Sequence, residues 1–433
     1  MGRKPIMLRG ARQVGKSTLV RNLAKEFDYF IELNLEKGQD IKFFHEYGDD
    51  VHTLMDAILL DRNLPKDYEN TLLFIDEIQE SPEAIKLLRY FYEEIPKLYV
   101  IAAGSLLEFA MRDVTSFPVG RVLQLAIHPM DFEEFLMAIG ENQALEYYNQ
   151  IPVPEFAVPK LLDLFNEYTR IGGMPEVVKT YVQNGRSLVS LQDVYSSIWD
   201  NYLDDVEKYT NNDTQRKIIR QILQAVPGVR DRINYANFAG TGFRSREVSE
   251  CMHMLDMSRL IRLIHPTTSV KAPLTSEYKR KPKLQLLDTG LLNYIAGIQG
   301  EMLKIKDLNG LYKGFIVNHV VNQELIAQTS NVRFKPHFWV RENANSNAEV
   351  DIVIKHKEKI LPIEIKSGAK GRLRSLHEFI DRTDHTIGVR LLANKIQIDS
   401  SKTRTNRAFT LLNLPYFLGS KVGEYVEWQI FDN

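Results

Sequence analysis

Gly10-Ala11-Arg12-Gln13-Val14-Gly15-Lys16-Ser17, close to the start of the sequence, has the spacing G-x-x-x-x-G-K-[ST]. The apolar run Ile6-Met7-Leu8 precedes it, and the helix-compatible Thr18-Leu19-Val20-Arg21-Asn22-Leu23-Ala24-Lys25 follows. A strand, a tight loop and a helix in that order form the setting in which this spacing makes a phosphate cradle. Glycines are required because the backbone must turn sharply and aim successive N–H groups at phosphate oxygens. The helix behind the loop adds its positive end. Gly10, Ala11, Arg12, Gln13, Val14, Gly15, Lys16, Ser17 and Thr18 are therefore the candidate nucleotide-binding residues. Lys16 is placed to reach the β- and γ-phosphates and the Ser17 hydroxyl to ligate Mg²⁺, so ATP and Mg²⁺ are the expected cofactors.

Further along the chain, Leu72-Leu73-Phe74-Ile75-Asp76-Glu77 reads as an apolar strand ending in two carboxylates. Beside a phosphate loop, Asp76 holds Mg²⁺ through water and Glu77 polarises the attacking water. The other reading of such a pair is a helix N-terminus, here before Ser81-Pro82. The next apolar run, Leu98 to Ala103, leads to Gly104-Ser105. Ser105 is placed either to orient the lytic water or to cap a helix over Leu106-Leu107-Glu108-Phe109. Arg121, in Pro118-Val119-Gly120-Arg121, offers a cation to the transferring phosphate in cis or across a subunit interface, or else is a surface arginine.

The chain has 433 residues, long enough for two to four domains of roughly 100–200 residues each. Hydrophobic residues at 44% and charged residues at 26% give ample material for buried cores. A net charge of -1 provides no global attraction to nucleic acid or anionic lipid, so binding DNA would need a local basic patch. Cys251 is the single cysteine, which excludes an internal disulfide and a thiolate zinc cluster and fits a packing role in a reducing cytoplasm. No apolar run approaches the ~18 residues that span a bilayer, and no signal-peptide pattern opens the sequence.

Three blocks emerge, and the fold class is α/β and multidomain. Residues 1–193 alternate short apolar runs with helical stretches, as buried parallel strands and helices do. Residues 194–270 carry helical spacing, as in Ile218-Ile219-Ile222-Leu223, and close on the strand-like Leu260 to Ile264. The stretch Val270 to Lys283 reads as an exposed connection or hairpin. Residues 271–433 form a further α/β block with strands over Leu284 to Leu287, Val350 to Ile354 and Ile360 to Ile365, and helices near Leu291 and Val317.

Gly10 to Thr18, Asp76-Glu77-Ile78-Gln79, Ala103-Gly104-Ser105, Gly120-Arg121 and Ile171-Gly172-Gly173-Met174-Pro175-Glu176 together resemble the uncharacterised prokaryotic AAA+-related P-loop ATPases that carry an uncharacterised C-terminal domain. The resemblance runs over nearly the whole chain. Relatives usually have a short segment before the first strand, whereas this chain begins almost at the strand, which leaves open whether its start is shortened. The resemblance also implies a winged helix-turn-helix over Gln215 to Val226 and Phe243 to Ile264. Arg244-Ser245-Arg246 at the front of a helix then either meets phosphates or forms a solvated face, while Val248, Met252 and Leu255 point inward.

In the third block, Glu349-Val350-Asp351 is followed after twelve residues by Glu364-Ile365-Lys366. Carboxylates converging on Mg²⁺ beside a lysine are what metal-dependent phosphodiester cleavage requires. The pattern resembles the PD-(D/E)xK fold of restriction endonucleases. That likeness implies Asp351 and Glu364 as metal ligands, Lys366 as the catalytic lysine and Glu324 as an additional acid. Relatives usually show Glu-Asn where this chain has Asn318-His319, so one acidic position is replaced. The leading expectation is a Mg-dependent ATPase that positions a nuclease-like domain, with DNA as a candidate partner. The alternative is a nucleotide-gated module that holds a protein partner or a second copy of itself through an inactive nuclease fold. A metabolic kinase is the weakest reading, because Asp76-Glu77 suits water activation better than a small phosphate acceptor.

Overall fold

The computed structural model describes residues 3–105, 118, 120–208, 210, 212–240, 242–298, 314–342, 348–366 and 373–431. It divides into two compact units, one of residues 1–128, 257–259 and 329–333, the other of the remainder. Among the described residues no helix is long and apolar enough to cross a membrane.

The first unit is built on five strands: β1 (Ile6–Arg9), β2 (Tyr29–Asn34), β3 (Thr71–Asp76), β4 (Tyr99–Gly104) and β5 (Leu123–Ala126). They lie in the order β2-β3-β4-β1-β5, and every neighbouring pair is parallel. All six residues of β3 are buried because both faces of the sheet are covered: Leu73 and Ile75 pack with Met55 and Leu88 on one side, Leu72 and Phe74 with Leu8 and Val20 on the other. This explains the continuous apolar runs, since a strand buried on both faces has no polar side to present. The register sets Arg9 of β1 opposite Gly104 of β4, and Asn34 of β2 opposite Asp76 of β3. The carboxyl ends of β1, β3 and β4 thus share one edge, where open α/β sheets hold ligands. The edge strand β5 meets a distant segment through one backbone bond, Ala126 N donating to Ser330 O at 2.8 Å.

In the second unit the helices Phe132–Ala138, Val158–Ile171 and Pro175–Gln183 surround buried Phe132, Phe165 and Tyr168. The motif Gly172-Gly173 is a close-packed joint. A Cβ on Gly173 would stand 2.0 Å from Met130 O, and Gly172 has φ +74. Gly173 N donates to Asp288 Oδ2 at 2.7 Å, and burial pushes the Asp288 carboxyl up to about 6. Further on come the helices Gln192–Lys208, Asp213–Ala225 and Ser245–Met257. Val248, Met252 and Leu255 are buried as the spacing requires, whereas Arg246 is exposed and paired with Glu250 at 2.9 Å. Cys251 is buried, and burial pushes its thiol up to about 12, consistent with packing.

β6 (Ile261–Ile264) pairs antiparallel with β8 (Lys283–Leu286), and β7 (Pro266–Thr267) lies between them in sequence. The intervening stretch from Val270 is an irregular connection rather than a hairpin. The strands β9 (His337–Val340), β10 (Glu349–His356), β11 (Lys359–Ile365), β12 (Ile387–Leu392), β13 (Gln397–Lys402) and β14 (Ala408–Pro415) join β7 in a mixed sheet, ordered β13-β14-β12-β11-β10-β9-β7. Trp339, Val350, Val353, Ile360 and Phe379 form one of its cores.

Candidate nucleotide site and a second carboxylate site

The loop after β1 can adopt its course only with small or left-handed residues at set points. Gln13 and Gly15 have φ +63 and +95, and a Cβ on Gly10 would stand 2.4 Å from Ile127 O. Gly15 is the N-cap of the helix Lys16–Leu23, and no side chain among the described residues caps it, so backbone donors at this end are offered to an anion. Lys16 is buried, and its Nζ donates to Gly10 O at 3.0 Å and Ala11 O at 2.8 Å. Burial lowers the Lys16 pKa to about 8, against the opposing charges of Glu77 and Asp76.

Ser17 Oγ donates to Asp76 Oδ2 at 2.7 Å, joining the loop to the end of β3. Burial raises the Asp76 pKa, and the bond from Ser17 opposes the rise. A hydroxyl and a carboxylate side by side are the hard oxygen donors that Mg²⁺ takes. Glu77 follows in the left-handed region with φ +52, and its Oε2 accepts from Gln79 Nε2 at 2.7 Å. The helix Pro82–Glu94 is capped by Ser81, whose Oγ accepts from Ala84 N at 3.1 Å. Asp76 and Glu77 are therefore not its cap. Ser105 is buried directly beyond Gly104, at the level of the loop, while Leu106 to Phe109 lie outside the described residues. Arg121 is ion-paired with Glu93 at 3.0 Å and 43% exposed. Arg12 lies 3.6 Å from Glu36.

Sequence reasoning missed Arg259. It is buried, sits at φ +64, donates to Val332 O at 3.4 Å, and its charge bears on Lys16 together with that of Arg12. A lone arginine more than 200 residues past the loop carries no local signal.

The second unit brings Asp351 on β10 together with Glu364 and Lys366 at the end of β11. Asp351 Oδ2 accepts from Ile365 N at 2.8 Å, and Lys366 Nζ stands 2.6 Å from Glu364 Oε1. Burial, reinforced by the Asp351 charge, pushes Glu364 up to about 7, and burial likewise raises Asp351. Glu364 Oε2 is buried with no hydrogen-bond partner among the described residues, which suits a cation. Glu349 is claimed by Lys283 at 2.6 Å and by Arg232. A cavity of about 370 Å³ lies alongside, lined in part by Asp351, Glu349, Lys283, Asn318 and Asn322. Among the described residues no three His, Cys, Asp or Glu side chains are gathered as a metal-binding group.

Glu324 does not belong to this site. It is buried elsewhere on the helix Phe315–Ala327, where its oxygens accept from Phe132 N at 3.1 and 3.3 Å. The helix turns Asn318 and Asn322, four residues apart, toward the cavity, and Glu324 is not among its lining residues.

Residues 2–136 match a family model described as AAA domain. Residues 162–302 and 313–417 match two models described as domains of unknown function, DUF8612 and DUF4143. No curated protein matches the chain. The solved structures that match include two at 12% identity each. One is Cdc6p from Pyrobaculum aerophilum, with a TM-score of 0.23 over 69% of this chain and 87% of that one. The other is a signal transduction ATPase with numerous domains, with a tetratricopeptide repeat sensor, from Pyrococcus horikoshii. Its TM-score is 0.27 over 76% of this chain, which spans 46% of that protein's length. The AAA-domain match and the five-stranded parallel sheet with its phosphate loop support an AAA-related P-loop ATPase domain at the N-terminal end of this chain.

Proposed function

We propose that the first unit binds Mg·ATP and hydrolyses it, and that its nucleotide state positions a nuclease-like second unit. The observation that carries the first half is the 2.7 Å bond between Ser17 and Asp76 at the mouth of a loop that also presents Lys16. Gly10 to Thr18 wrap the phosphates with backbone donors, and Lys16 leaves the carbonyls of Gly10 and Ala11 to meet the β- and γ-phosphates. Ser17 and Asp76 would hold Mg²⁺, which supplies charge neutralisation at the β- and γ-oxygens. Glu77 takes a proton from water, and Ser105 orients that water. Arg121 stays a candidate finger toward a second subunit, since its exposure leaves it available to one. The test is Mg-dependent ATP turnover: wild type hydrolyses and Lys16→Ala does not, and equal rates would overturn the assignment.

In the second unit, Asp351 and Glu364 would hold a divalent cation and Lys366 would stabilise charge developing on a phosphodiester. Glu364 Oε2, buried and unpartnered among the described residues, supports that reading. The replaced acid at Asn318 and the net charge of -1 favour the rival, a nucleotide-gated module that grips a protein partner through an inactive nuclease fold. Salt separates the two, because binding to DNA weakens steeply with ionic strength and an apolar protein contact does not.

A further inference from the structure

Glu77, the proposed proton acceptor for ATP hydrolysis, does not stand alone. Its φ and ψ of +52 and +45 put a glutamate in the left-handed region, a conformation kept only where the surroundings hold it. The 3-10 turn Ile78–Glu80 follows at once, closed by Glu80 N to Glu77 O at 3.1 Å and Ser81 N to Ile78 O at 3.1 Å. Ile78 is fully buried and anchors that turn in the core between the sheet and the helix Pro82–Glu94. A kink followed by a tight turn folds the side chain of Gln79 back over that of Glu77, two residues earlier. In an extended strand, residues two apart stand side by side without their side chains closing on each other.

The contact is made with one half of the amide. Gln79 Nε2 donates to Glu77 Oε2 at 2.7 Å, while Gln79 Oε1 is buried with no hydrogen-bond partner among the described residues. An acceptor buried without a donor is unfavourable unless something fills the position. The group that would fill it is a small donor beside the Glu77 carboxylate, which describes a water molecule.

We propose that Gln79 is the positioning residue for hydrolysis: its Nε2 fixes the Glu77 carboxylate and its Oε1 accepts a hydrogen from the attacking water. This rests on the ATPase reading of the first unit. In the step so arranged, the water oxygen forms a bond to the γ-phosphorus as the bond from that phosphorus to the β–γ bridging oxygen breaks. ADP keeps the electron pair, Glu77 takes the water proton, and inorganic phosphate is released. With two acceptors, Glu77 and Gln79 Oε1, the water has both hydrogens committed and a lone pair left for phosphorus. Its orientation is thereby set by the protein before the nucleotide reacts.

The test compares full-length wild type with Gln79→Ala and Gln79→Glu by steady-state ATP turnover, affinity for a fluorescent ATP analogue with Mg²⁺, and thermal melting. Gln79→Ala lowers kcat by about tenfold or more, with affinity held within about twofold and melting unchanged. Gln79→Glu replaces the donating amide with a second carboxylate against Glu77, so its kcat also falls by about tenfold or more, again with affinity held within about twofold. Full turnover in Gln79→Ala, or a parallel loss of turnover, affinity and melting temperature, overturns the assignment. A wild type that binds the analogue yet hydrolyses no ATP refutes the hydrolase reading and this one with it. Turnover by wild type that vanishes in Lys16→Ala but persists in Gln79→Ala refutes the role of Gln79 alone.

Discussion

Replacing Glu324 by glutamine tests whether this acid belongs to the core or to metal chemistry. The carboxylate is buried, bonded to Phe132 N, and pushed up from 4.5 to about 8 by burial first and by the charge of Asp131 second. At about 1.4 kcal/mol per unit, that displacement corresponds to a penalty on the order of 5 kcal/mol for ionising Glu324 in the folded state. A carboxyl with a raised folded pKa binds its proton more tightly folded than unfolded. Its contribution to stability is therefore complete below about pH 4.5 and is lost as pH rises through about 8. In Glu324→Gln the new amide keeps an oxygen for Phe132 N and has no charge to acquire. Wild type and variant should be similarly stable near pH 5, and the variant should be more stable by several kcal/mol near pH 9. All three tryptophans, Trp199, Trp339 and Trp428, lie in the second unit, so urea unfolding followed by tryptophan fluorescence reads the relevant transition. A difference between the two proteins that does not grow with pH would refute the reasoning, as would a loss of divalent-cation binding in the variant.

Three further outcomes follow from the geometry. Asp76→Asn weakens Mg²⁺ dependence and lowers ATP turnover by about a hundredfold, checked by titrating the cation at fixed ATP. Gly173→Ala places a Cβ against the backbone oxygen of Met130, which no side-chain rotation relieves, and costs about 3 kcal/mol or more by chemical unfolding. Asp351→Asn reduces Mn²⁺ or Mg²⁺ affinity measured by calorimetry at the second unit, and unchanged affinity would leave Asp351 and Glu364 without a cation.

The parts legible in the sequence are those whose physics is local. β1, β3 and β4 announce themselves because a parallel strand buried on both faces is uniformly apolar. Lys16 and Ser17 follow from a spacing in which each residue has a set direction relative to one loop. Asp351 and Glu364 likewise lie on two strands that pair, β10 and β11, with Lys366 just past the end of the second. What the sequence hid depends on pairings across long stretches of chain. Glu324 reads as a helix acid available for a cation, yet its direction is decided by Phe132, 192 residues away. Arg259 enters the field of Lys16 only through the fold, and Gly172-Gly173 is visible as a motif while its partner Asp288 is not.

The segments 257–259 and 329–333, which complete the first unit, bear on how the protein is made. During synthesis the phosphate loop emerges first, but Ser330, which accepts from Ala126 on the edge strand β5, emerges only about 200 residues after that strand. Until then β5 presents unpaired backbone groups to the solvent, the kind of edge on which chains pair wrongly. A ribosome-bound fragment ending near residue 136 would therefore engage holdase chaperones, and release from them should coincide with the appearance of Thr329 to Arg333.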